Sequence, residues 1–151
     1  MIDPVEDGTN HINISHSAKT QLGRMLSPPF QSSFELPDSG KFESVAGYWL
    51  WLVFESEEGF REVSGETAFL RGSYDGAIET AQTQEFRKKI LRATWHKIRQ
   101  NQKIFWRFEQ NILPLRRYYV GEGDIYIPND SNWLCDGLEV MQEYVDQALR
   151  P

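Results

Sequence analysis

Apolar residues recur at intervals of three and four residues along the second half of the chain, which is the spacing of one face of an α-helix. Three such stripes predict three helices. The first spans residues 84–100, with the stripe Phe86, Ile90, Ala93 or Thr94, and Lys97. The second spans residues 101–113, with Ile104, Phe105, Phe108 and Ile112 inward. The third begins at Asp130 or Ser131 and places Leu134, Leu138, Met141, Val145 and Leu149 on one face.

The rest of the chain predicts one further helix, short strands and a hairpin. Residues 45–55 are apolar almost all round and follow Ser44, a good N-cap, so they predict a buried helix. Alternating patterns predict strands at residues 11–15 and 34–36, and a hairpin joins 118–120 to 124–127 through Gly121-Glu-Gly123. Residues 21–30 read as a loop because they contain Gly23 and the pair Pro28-Pro29. Residues 57–80 read as irregular, with short strands around Glu62 and Phe69.

Together these elements predict a mostly helical α+β domain with a few short strands and a hairpin. The length of 151 residues suits one domain, which we place at residues 11–151. Residues 1–10 are acidic, contain Pro4 and Gly8 and lack periodicity, so they predict a flexible tail.

Composition narrows the function classes. The net charge of −6 argues against a nucleic-acid protein of the basic-patch kind. The one cysteine, Cys135, excludes an internal disulfide, and no histidine or cysteine has metal-ligand spacing to another, so we expect no cofactor and no metal. Without a signal segment or a long apolar run, the chain is expected in the cytoplasm, away from membranes. The aromatic share of 13% suits either stacking on a flat ligand or ordinary core packing.

Lys97 is the most informative polar residue of the pattern, because it lies on the same helix face as Phe86 and Ile90. A lysine amine among apolar side chains has a lowered pKa and can attack a sugar aldehyde carbon. The alternative is that its stem packs while its amine reaches solvent at the helix end.

Two further places suit recognition of a phosphate or a base. Asp130 opens the last helix, where free N–H groups favour an anion, although a plain helix cap is the simpler interpretation. Arg116-Arg117 followed by Tyr118-Tyr119 combines positive charge with aromatic faces, although a solvated arginine pair beside a hairpin core would have the same sequence.

Five motifs follow one another in a characteristic order. They are Ile12-Asn-Ile-Ser15, a loop with Leu26-Ser27 and Phe30, Phe42-Glu-Ser-Val-Ala46-Gly-Tyr-Trp49, Ala93-Thr-Trp-His-Lys97, and Asn129-Asp-Ser-Asn-Trp133. This succession resembles the NADAR superfamily, whose best-known members are N-glycosidases of riboflavin-pathway intermediates. It is most similar to divergent members encoded by bacteriophages, and the resemblance covers residues 12–144.

The resemblance implies a cleft for ADP-ribose or a related nucleotide and hydrolysis of an N-glycosidic bond at the ribose anomeric carbon. Some members remove ADP-ribose from guanine in DNA and so counter a toxin or a phage-defence system, which would act in the bacterial host cytoplasm. A DNA adduct, a free nucleotide and a flavin precursor all remain open as substrates. The implied catalytic positions are Lys97, Asp130 and Ala46. The candidate ligand-binding residues are Ser15, Arg24, Ser27, Phe30, Tyr48, Trp49, Tyr119 and Trp133.

The chain departs from the family pattern at two positions. Ala46 stands where the family has a glutamate, and a methyl group cannot transfer a proton. The chain is then either an engineered inactive variant, which the intact frame around residue 46 favours, or a natural module that binds ADP-ribose-type nucleotides without turnover. Pro28 stands where relatives have an asparagine, which removes one expected ligand hydrogen bond.

Overall fold

The structure, a computed structural model, describes residues 2–68, 83–128 and 131–149. The described residues form a mostly helical α+β fold with three two-stranded sheets, which confirms the predicted fold class. In chain order the helices are α1 (Gln21–Leu26), α2 (Val45–Val53), α3 (Gln84–Gln100), α4 (Gln102–Gln110) and α5 (Ser131–Leu149). The strands are β1 (Ile12–Asn13), β2 (Phe34–Leu36), β3 (Gly40–Phe42), β4 (Leu115–Arg116), β5 (Tyr119–Gly121) and β6 (Asp124–Tyr126).

Contacts within the chain group it into two compact units. The first unit comprises Met1–Ser27 and Lys103–Pro151, and the second comprises Pro28–Gln102. The first unit is joined by a parallel pair, β1 with β4, in which Ile12 lies opposite Leu115. Its core contains Ile14, Leu26, Ile104, Phe108, Leu134 and Leu138, all buried.

Helix α1 corrects the prediction of a loop over residues 21–30. Thr20 caps the helix by accepting a hydrogen bond from the Gly23 N–H at 2.9 Å. Glycine is required at this position, since a Cβ atom there would lie 2.0 Å from the carbonyl oxygen of Asn13. Gly23 therefore marks the close approach of α1 to β1 rather than a break in the helix.

The segment predicted as a flexible tail, residues 1–10, contains local structure over its described residues. Pro4–Glu6 forms a 3-10 helix, and the carboxylate of the buried Asp7 accepts hydrogen bonds from the N–H groups of Asn13 and Lys19, each at 3.0 Å. Two backbone donors on one carboxylate hold the segment against the first unit.

The second unit begins with a hairpin and two helices that the sequence predicts. β2 and β3 pair antiparallel, with Phe34 opposite Phe42. Ser44 caps α2 as expected, because its hydroxyl accepts from the Gly47 N–H at 2.9 Å. Only the first two thirds of α2 are buried, and its end from Trp51 onward is half-exposed. The strand expected around Glu62 is wrong, because Glu58–Glu62 forms a 3-10 helix; Phe69 lies outside the described residues.

The remaining predicted elements are confirmed with small shifts. α3 has the predicted bounds and buries the predicted stripe, Lys97 included. β5 and β6 form the predicted hairpin, with Tyr119 opposite Tyr126. The inward position of Ile112 is wrong, since α4 ends at Gln110 and the Ile112 side chain is 88% exposed.

Candidate functional site

Lys97 is the candidate nucleophile, and its side chain is completely buried. Phe86, Ile90, Ala93 and Ile98 on the same helix are buried too, so the amine belongs to the apolar side of α3. Burial disfavours the charged ammonium and lowers the pKa of Lys97 to about 7. A large share of these amines is therefore neutral near pH 7, the state that attacks carbon.

The segment of residues 28–30 links this amine to position 46. The Phe30 ring centroid lies 5.7 Å from the Lys97 Nζ atom. Two residues earlier, the Pro28 carbonyl accepts a hydrogen bond of 2.8 Å from the Ala46 N–H, at the start of α2. The segment of residues 28–30 therefore bonds to Ala46 through Pro28 and approaches Lys97 through Phe30.

Side-chain hydrogen bonds fix the backbone after this segment, around Ser33. Ser33 donates from its hydroxyl to the Glu43 carboxylate at 2.8 Å, and this bond is the main cause that lowers the pKa of Glu43. The Asn101 amide donates to the carbonyl oxygens of Lys97 at 2.7 Å and of Ser33 at 3.2 Å. Asn101 thus closes the last turn of α3 beside Lys97 and ties it to the start of β2.

The sequence pattern predicts Asn101 as the start of the next helix and gives no indication that it belongs to the site. Asparagine directly after a helical stripe is a common helix-ending residue, and that signal points to the role it has here. The two helices meet at this residue, since α3 ends at Gln100 and α4 begins at Gln102.

Tyr48 and Trp49, two predicted ligand residues, are core residues with 2% exposure each. The Tyr48 ring packs edge-on against Phe42 at a centroid distance of 5.0 Å. The Trp49 ring packs edge-on against Phe86 at 5.4 Å, which joins α2 to the stripe of α3. Both rings pack α2 against its neighbours, and neither offers an open face for stacking on a ligand.

Three predicted ligand residues belong to the first unit and make internal hydrogen bonds. The Ser27 hydroxyl donates to the Arg24 carbonyl at 2.7 Å, at the end of α1. The Arg24 guanidinium donates to the Ala18 carbonyl at 2.7 Å. Ser15 is fully buried, with its hydroxyl 3.2 Å from that of Ser17. These hydrogen bonds give the three side chains a structural role in and beside α1 and just after β1.

The Arg-Arg-Tyr-Tyr run divides by burial. Arg116 is exposed and lies 3.7 Å from the Glu139 carboxylate, whereas Arg117 is buried and donates to the Ile14 carbonyl at 3.0 Å. Tyr118 is buried as well, and only Tyr119 is half-exposed. Arg117 donates to the Tyr119 hydroxyl at 3.0 Å, so these two side chains are engaged with each other.

The last two predicted residues are Trp133 and Asp130. Trp133 is half-buried in the first unit, and Asp130 lies outside the described residues. Within the described ranges, no three His, Cys, Asp or Glu side chains come together in a way that could hold a metal ion. None of the described helices combines the length and hydrophobicity that a bilayer span needs.

Comparison of the chain with protein-family models, with curated proteins and with solved structures finds no match.

Proposed function

We propose that this protein acts on N-glycosidic bonds of ADP-ribose-type nucleotides, with Lys97 as the nucleophile and with turnover limited by Ala46. The observation that carries the proposal is a completely buried lysine whose pKa is about 7. The succession of motifs that resembles the NADAR superfamily supports the ribosyl substrate class, and ADP-ribosylated guanine in DNA is the substrate we favour.

The chemistry needs a neutral amine at the anomeric carbon. The Lys97 nitrogen forms a bond to C1′ while the bond from C1′ to the base breaks, and the base leaves with the electron pair and takes up a proton. The bonded nitrogen, now an ammonium, gives up a proton, which balances the proton taken up by the base. Its lone pair then opens the bond between C1′ and the ring oxygen, and the ring oxygen takes up a proton from solvent, which gives a protonated imine. Water adds to the imine, and the amine leaves, so that ADP-ribose is released and Lys97 is restored.

Ala46 limits the rate of this reaction. The Ala46 side chain is 7% exposed and can neither donate nor accept a proton, so the departing base has no positioned acid from this residue. Loss of a positioned acid or base costs about 10²- to 10⁴-fold in rate. Because the backbone N–H of Ala46 is bonded to the Pro28 carbonyl, residue 46 stays next to the segment that carries Phe30.

A binding module that sequesters ADP-ribose-type nucleotides is the second candidate function. It is favoured by the same alanine, because a site without its acid can hold a ribosyl nucleotide for long times. In that case the reversible imine with Lys97 would contribute to retention of the nucleotide rather than to turnover.

Reductive trapping tests the nucleophile. The protein is incubated at pH 7.5 with ADP-ribose and cyanoborohydride, and the modified lysines are mapped by mass spectrometry. We expect one dominant adduct at Lys97 and only slow, background modification at Lys89, an exposed lysine of the same helix. Equal modification of the two lysines would overturn the role of Lys97.

The variant Ala46→Glu tests turnover on an oligonucleotide with ADP-ribosylated guanine. We expect ADP-ribose release to rise by about 10²-fold or more over the Ala46 protein. Ala46→Gln has a side chain of the same size without an acid and is the matched control. A Lys97 adduct with no release by the Glu form would support the binding module, and absence of both adduct and ADP-ribose binding would overturn both functions.

A further inference from the structure

The outward face of α3 concentrates positive charge in an acidic protein. The chain has a net charge of −6, yet α3 contains six basic residues against the single acid Glu85. The six are Arg87, Lys88, Lys89, Arg92, Lys97 and Arg99. Lys97 lies on the buried side, so the charge that meets solvent comes from the others.

Three of these cations form a stripe along the helix. Lys88, Arg92 and Arg99 are exposed and follow one another at four and seven residues, which places them on one face. At a rise of 1.5 Å per residue, they are separated by about 6 Å and about 10.5 Å along the axis. Trp95 lies between them on the same face and is half-exposed. We call these four residues the basic stripe.

The charges of the stripe are only partly balanced within the protein. Arg92 forms a salt bridge of 3.1 Å with Asp38, in which both side chains remain substantially exposed. Among the described residues, Lys88 and Arg99 take part in no salt bridge. Like charges one helical turn apart, as at Lys88 and Arg92, destabilise a helix, so an anionic partner would relieve the repulsion.

The stripe also carries a flat aromatic face. The Arg99 guanidinium carbon lies 5.9 Å from the Trp95 ring centroid. Surfaces that bind single-stranded nucleic acids without sequence preference combine cations that track the phosphates with aromatic rings that stack on bases. An acidic protein partner would satisfy the cations but would leave the tryptophan and arginine pair without a specific role.

We propose that the basic stripe is a binding surface for single-stranded nucleic acid. Lys88, Arg92 and Arg99 contact successive backbone phosphates, and Trp95 stacks on a base. The overall negative charge limits the affinity and confines binding to this face. The proposal does not depend on the glycosidase function, because it uses the outward side of α3 and makes no use of Lys97.

Fluorescence anisotropy with labelled dT20 and U20 tests the proposal. About three phosphate contacts predict a slope of roughly −2 for the logarithm of the binding constant against the logarithm of salt, hence about 20-fold weaker binding at 200 mM than at 50 mM NaCl. The double variant Lys88→Ala/Arg99→Ala should reduce the slope by about 1.4. Comparing dT20 with U20 shows whether DNA or RNA is preferred.

The matched control is Lys19→Ala/Lys41→Ala, which removes the same charge from exposed positions outside the stripe. The control should bind as the unchanged protein does. Equal loss in both double variants, or no binding of either probe at 50 mM NaCl, would overturn the proposal. Self-association at low salt that disappears in Lys88→Ala/Arg99→Ala would assign the stripe to a second copy of the chain instead.

Discussion

The two units bury polar side chains in different ways. In the first unit, both carboxylate oxygens of Asp7 accept backbone N–H groups, and the His11 ring nitrogens lie 2.6 Å from the Asn10 amide oxygen and the Tyr118 hydroxyl. In the second unit, the Lys97 amine is buried deeply enough that its pKa falls to about 7. The first arrangement fixes a carboxylate between backbone donors, whereas the second changes the protonation of an amine through burial.

The largest expected effect is a gain of stability from Lys97→Met. Unfolded lysine keeps its proton up to a pH of about 10.4, while folded Lys97 loses it near its lowered pKa, so between these values the unfolded state holds more protons and stability rises with pH. Methionine has no proton to lose, so the variant does not have this pH-dependent loss of stability. We expect its free energy of unfolding at pH 7 to be higher by about 3 kcal/mol, with the difference shrinking toward pH 10.

Urea unfolding at several pH values measures this effect. Lys89→Met is the control, because Lys89 is exposed on the same helix and its replacement should change stability little at any pH. A Lys97→Met protein that is less stable than the unchanged protein at every pH would show that the buried amine is a structural group after all.

The next effect is a loss of stability from Asp7→Ala. The substitution leaves the N–H groups of Asn13 and Lys19 without their carboxylate acceptor, and we expect a loss of about 2 kcal/mol. Asp3→Ala is the comparison, since Asp3 makes one exposed bond to the Val5 N–H and should cost about 0.5 kcal/mol. Equal losses in thermal unfolding would contradict the importance of burial here.

The smallest effect should come from Tyr118→Phe. The substitution removes the 2.6 Å hydrogen bond to His11 without changing the ring, so we expect a loss of about 1 kcal/mol. A double-mutant cycle with His11→Ala isolates this bond, and the two losses should add to more than the loss in the double variant. Strict additivity would mean that the short bond contributes nothing to stability.

The sequence predicts elements best where pattern and capping agree. The stripe of α3 repeats over almost five turns, so its bounds and its buried face are predicted correctly, whereas for Lys97 the pattern allows either a buried amine or one that reaches solvent. Helix α1 is missed because glycine and proline normally interrupt helices, whereas Gly23 is needed for its approach to Asn13. Ile112 is misplaced because periodicity alone does not reveal that α4 has already ended.

The site is predicted less completely than the fold. Phe30 lies beside Lys97 and Pro28 is bonded to Ala46, but Tyr48 and Trp49 are packed in the core. Aromatic residues in a capped apolar helix have the same pattern whether they line a ligand or fill the interior. For Ser15, Arg24 and Ser27, only the tertiary hydrogen bonds reveal that their polar groups are already engaged.

The parallel pairing of β1 with β4 also determines the order in which the chain can fold during synthesis. On the ribosome, Ile12 cannot pair with Leu115 until that residue has emerged from the exit tunnel. The segment Pro28–Gln102 is contiguous and can fold as soon as it leaves the tunnel. Until then the apolar residues of the amino-terminal segment have no strand to pair with. We therefore consider nascent chains that are arrested when residue 102 has left the exit tunnel and residue 115 has not. They should be protected from protease in the second unit and cleaved near β1.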